Sequence, residues 1–93
     1  MASIEIKQLN HNGGYAFQVT IREGGGATHH QVTLRGADYE RFTGGKASPE
    51  ALVTESFRFL LEREPKEAIL DTFDLSVIGR YFPEYRREIA QRL

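Results

Sequence analysis

With 93 residues the chain has room for one domain, and its twelve basic and thirteen acidic side chains leave a net charge of −1. That balance argues against a protein whose affinity comes from neutralising phosphates. The lack of cysteine excludes disulfides, thiol catalysis and thiolate metal sites, and no apolar run is long enough for a signal peptide or a membrane span. A chain of this size buries roughly 60–65% of the surface its unfolded form exposes, and six Phe and four Tyr supply the bulk of a thin core. The expectation is a soluble cytoplasmic protein that does not contact the membrane.

Up to Gly36 the apolar period is two, as in strands. Ile4 and Ile6 alternate with Glu5 and Lys7; Tyr15, Phe17, Val19 and Ile21 alternate with Ala16, Gln18, Thr20 and Arg22; His30, Val32 and Leu34 alternate with His29, Gln31, Thr33 and Arg35. The breaks NHNGG and EGGGA are short and glycine-rich, as hairpin connections are. Residues 1–36 therefore read as a three-stranded antiparallel meander with one apolar and one wet face.

Residues 37–93 read as a helical layer. ADYERF is a short amphipathic segment stopped by Gly44-Gly45. Ser48-Pro49-Glu50 opens the main helix: a hydroxyl to cap it, a proline where no N–H is needed, and a carboxylate at the positive end of the dipole. This helix is expected over 49–63, with Val53, Phe57, Leu60 and Leu61 widened by Leu52 and Phe59 into an arc that touches more than one neighbour, and with Glu55, Arg58 and Glu62 on the other side. Pro65 ends it and starts a second helix, PKEAILDTF, with Ile69, Leu70 and Phe73 turned inward. Asp74 or Ser76 caps a third, LSVIGRYF, in which Gly79 costs about 1 kcal/mol and points to close packing against a neighbour. Pro83 breaks the chain again before EYRREIAQRL, yet Ile78, Phe82, Tyr85, Ile89 and Leu93 keep one buried stripe across the break. The fold class is α+β, with a three-stranded meander backed on one face by helices in a single domain.

No catalytic, cofactor or metal motif emerges. Successive strand side chains point to opposite faces, so His29 and His30 diverge; a metal site would need His11 or a carboxylate brought close, and no H-x-x-x-H spacing supports one. Gly13-Gly14 and Gly24-Gly25-Gly26 lie between strands, where hairpin turns account for them and phosphate loops do not. No serine sits in a G-x-S-x-G elbow, and nothing selects a carboxylate pair from ten Glu and three Asp. The two short segments around FDLSVIGRYF resemble a helix-turn-helix only loosely, since the recognition helix would open on Leu75, Ser76, Val77, Ile78 and Gly79, with nothing to reach base edges.

The candidate interaction surface is RYFPEYRR: Arg80, Tyr81, Tyr85, Arg86 and Arg87 combine aromatic and guanidinium groups in the manner of interface cores. The same residues with Arg92 could stack bases and grip phosphates, but Glu84 and Glu88 dilute the charge, and Phe82 and Tyr85 also fit the buried stripe. Strand 1, with only Glu5 and Lys7 to discourage edge pairing, is a second place for association.

The stretches VTESFRFLLEREPKEAIL and FDLSVIGRYFPEY, roughly residues 49 to 85, resemble the tail of short uncharacterised bacterial proteins. The resemblance implies a recurrent helical unit and a bacterial source, and carries no activity, cofactor or partner. The reading is thus of a non-catalytic protein-interaction module with a protein partner or a second copy of itself, a homodimer; a nucleic-acid-binding regulator is the alternative.

Overall fold

The computed structural model describes residues 2–9 and 13–93; His11 and the rest of the first connection's NHN lie outside the described residues. Strands β1 (Ser3–Leu9), β2 (Gly14–Glu23) and β3 (Gly26–Arg35) form the expected antiparallel meander. Glu23 pairs with Gly26, leaving Gly24-Gly25 as a two-residue turn with φ of 62° and 80°. Positive φ at both positions twists the turn in the sense that the strands demand, and glycine adopts it without steric cost. Phe17, Val19, Ile21, His30, Val32 and Leu34 are buried on one face, as the alternation requires.

The helical layer begins with α1 (Gly36–Thr43), ended by Gly44 in the left-handed conformation, with its N–H on the Glu40 carbonyl. Helix α2 (Pro49–Leu61) starts as expected: the Ser48 hydroxyl accepts from the Ala51 amide, and Pro49 occupies the first turn. Its wide apolar arc has two destinations. Phe57 packs on His30 and Phe73 at the sheet, whereas Phe59 packs on Phe82 and Tyr85.

The largest departure from expectation is PKEAILDTF. A single 3-10 turn, Lys66–Ala68, is followed by extended chain and a fourth strand, β4 (Thr72–Asp74), parallel to β3. The sheet is therefore four-stranded and mixed, in the order β1-β2-β3-β4. A parallel neighbour needs a long crossover, and α1 and α2 supply it. The periodicity of Ile69 and Phe73 fits a helix, but the open edge of β3 offers backbone partners that a helix would leave unused. The Gln31 amide donates to the Asp71 carbonyl at 2.7 Å, and β4 is fastened at both ends. His30 Nδ1 reaches the Leu70 carbonyl at 2.8 Å, and the Thr33 hydroxyl donates to Asp74 at 2.7 Å. Ile69 and Phe73 stay in the core, whereas Leu70 is turned outward.

Asp74 also caps the next 3-10 turn, Leu75–Val77, by accepting from the Ser76 amide and hydroxyl. Burial raises its carboxyl, but the hydroxyls of Ser76 and Thr33, the Ser76 amide and the Arg35 charge outweigh that and hold it below the usual aspartate range. Helices α3 (Ile78–Tyr81) and α4 (Tyr85–Arg92) follow, with Ile78, Tyr85 and Ile89 buried in the shared stripe. Gly79 is not explained by close packing: a Cβ there would meet nothing within 4 Å. No helix of the described residues is long and apolar enough to cross a membrane.

Candidate functional site

The RYFPEYRR residues divide between core and surface. Tyr85 is 1% exposed and belongs to the core, not to an interaction surface. Its ring meets Phe42 and Phe59 edge-on at centroid distances of 5.6 and 5.2 Å, and its hydroxyl lies 2.6 Å from the Ser56 hydroxyl. The helical stripe drives this placement: α4 can cover α2 only by turning Tyr85 and Ile89 inward. Burial pushes the Tyr85 hydroxyl well above the usual tyrosine range, despite the Ser56 bond pulling it down.

Arg92 is likewise engaged. Its guanidinium is 2.6 Å from Glu62 and within 4.0 Å of Glu55 and Glu88. Beside it Arg63 lies 3.6 Å above the Phe59 ring and binds Glu84 at 3.0 Å and Glu88 at 2.7 Å. Together these groups staple α4 to α2. The Arg92 hydrogen bond holds Glu62 below the usual glutamate range. Glu84 is held down by its own backbone amide and then by Arg63. Arg92 is therefore spent on carboxylates and does not point a free charge at an external phosphate.

Arg80, Arg86 and Arg87 are exposed, and none is in an ion pair among the described residues. Arg80 and Arg86 line a depression of about 310 Å³ with Arg41, Ser76 and Gly79. On the other side of α3 lies an apolar groove of about 430 Å³. Leu60, Phe73 and Ile78 form its buried floor, with Leu70, Val77, Tyr81 and Phe82 around them and Glu64 the one charged side chain. Leu70 is 49% and Tyr81 68% exposed, and among the described residues they are the large hydrophobic side chains left in solvent. Arg80 and Arg86 thus share one depression, whose wall includes the buried Tyr85, while Tyr81 stands at the rim of the groove on the other side of α3.

Leu70 and Val77 escaped sequence reasoning because the helical reading of PKEAILDTF turned Leu70 inward. The signal that could have located it is the β-branched pair Ile69 and Thr72, which favours extended chain in an otherwise helix-tolerant run.

His29 and His30 fall on opposite faces as the alternation predicts. His29 Nδ1 lies 3.2 Å from the Thr20 hydroxyl on the wet face, while both ring nitrogens of His30 are taken up by Leu70 and Thr28. Among the described residues, no group of three His, Asp or Glu is placed to hold a metal ion. No family model matches the chain, nor does any curated protein or solved structure.

Proposed function

We propose that the protein is a non-catalytic protein-interaction module whose groove between β4 and α3 receives apolar side chains of a partner segment that also carries acidic residues. The observation that carries this reading is the groove itself. Two large apolar side chains stand in water at its rim, the most exposed of the large hydrophobic groups among the described residues, and a small domain gains by covering them. The acidic character of the partner follows from Arg80 and Arg86, which line the depression across α3 from the groove and are in no ion pair among the described residues. A nucleic acid fits less well: the net charge is −1, Arg92 is bound to glutamates, and Tyr85 has no face to offer a base.

The test is a displayed library of random peptides, selected on the parent protein and counter-selected on Leu70→Asp. The expected result is a set of peptides with apolar anchors flanked by Asp or Glu, whose affinity drops about tenfold or more against Leu70→Asp or Tyr81→Asp, in keeping with the loss of an anchor contact. Peptides recovered equally well on Leu70→Asp would refute the groove. Binding of a labelled single-stranded oligonucleotide that collapses with added salt would put the nucleic-acid alternative in its place.

A further inference from the structure

The opposite edge of the sheet is a separate matter and does not depend on the groove. Strand β1 leaves seven residues with one side unpaired, since β2 occupies only the other. Protected edges carry prolines, bulges or inward-pointing charges. The pairing of β1 with β2 runs without a bulge from Ser3 to Leu9; the strand has no proline, and its core-facing side carries Ile4 and Ile6 with no charge. Ile4 and Ile6 are only half-buried, although the residues opposite them, Ile21 and Val19, are fully buried. The apolar cover therefore stops short at β1.

We propose that β1 pairs with β1 of a second copy, antiparallel about a two-fold axis through Ile6, so that two four-stranded sheets become one eight-stranded sheet. In antiparallel pairs, residues directly opposite share a face. An axis at Ile6 sets Ile6 against Ile6 and Ile4 against Gln8 on the core side, and Glu5 against Lys7 twice on the wet side. Moving the axis one residue either way sets Glu5 against Glu5 or Lys7 against Lys7, so charge selects the register. Lys7 is opposite Gln18 within its own sheet and has no ion pair among the described residues, so its charge is free for this role. Glu5 holds Arg22 at 2.9 Å with both side chains more than half exposed, and its remaining oxygen stays open to a second cation. The pair that looks like a guard against pairing is, in this register, its complement.

Sedimentation equilibrium from micromolar to near-millimolar protein at low salt tests the arrangement, with Glu5→Lys, Lys7→Glu, the double variant, and an equimolar mixture of the two single variants. The parent is expected to be a dimer. Each single variant faces like charges twice, and its dissociation constant should rise on the order of tenfold or more. The mixture should recover as a heterodimer, since one pair then sets Glu5→Lys against Lys7→Glu and the other sets the native Lys7 against the native Glu5, and native mass spectrometry distinguishes it from the homodimers. The double variant restores both pairs within one chain type and should dimerise like the parent, which separates lost pairing from lost folding. A parent that stays monomeric overturns the proposal. So do single variants that dimerise as well as the parent, or a mixture and double variant that recover nothing.

Discussion

The hydrogen bond between Ser56 and Tyr85 makes a sharp prediction because its two ends are not equivalent. Ser56 donates to the Leu52 carbonyl at 2.7 Å, so its oxygen accepts from the Tyr85 hydroxyl at 2.6 Å. Tyr85→Phe removes the donor and leaves Ser56 with one bond made, at a cost of about 1 kcal/mol. Ser56→Ala instead strands a buried hydroxyl, costing about 2 kcal/mol, of which the better helix propensity of alanine offsets about 0.5 kcal/mol. The double variant has nothing left unpaired and should be more stable than Ser56→Ala alone, with a coupling of about 1 kcal/mol. Urea unfolding with unchanged m-values measures all four proteins. The same hydroxyl gives a pH signature. Its folded-state value is raised, so the contribution is intact below the unfolded value near pH 10 and is lost as pH rises beyond it. At about pH 11 the parent should lose about 1.4 kcal/mol more than Tyr85→Phe, because only the unfolded chain ionises there. Additive single variants, or identical alkaline profiles for parent and Tyr85→Phe, would show that Tyr85 is not the buried donor described.

Three further outcomes are expected. The Leu70 carbonyl can only accept, so His30 Nδ1 carries a hydrogen, and nitrogen-15 shifts showing a bare Nδ1 would contradict the clasp between β3 and β4. Asp74 has a lowered folded-state value, so its contribution is present above the unfolded value near pH 4 and disappears as pH falls through the folded one; acid titration of stability should be steeper for the parent than for Asp74→Asn. Gly79 has room for a methyl group and no positive φ, so Gly79→Ala should raise stability by about 0.4–1 kcal/mol in thermal or urea unfolding, and a loss would mean that the space around α3 is filled.

The sequence by itself determined the three-strand meander, the glycine turns, the Ser48-Pro49 opening of α2 and the buried faces of β2, β3 and α2. All of these are local: period-two and period-3.6 patterns, φ requirements and caps act within a few residues. It also separated His29 from His30, because a strand cannot turn both to one side. Tertiary structure alone decided β4, since Ile69 and Phe73 can be buried either from a helix or from a strand, and the choice rests on the vacant edge of β3, some forty residues earlier in the chain. It likewise decided which aromatic and basic residues of 80–92 reach solvent. Tyr81 and Tyr85 are alike in composition, and so are Arg86 and Arg92. Each pair is split by what faces it across the gap: Ser56 and Phe59 of α2 with Phe42 of α1 for Tyr85, and Glu55 and Glu62 for Arg92. The groove follows from the same two decisions, because moving residues 69–74 onto the sheet turns Leu70 outward beside Tyr81 and leaves their apolar surface uncovered.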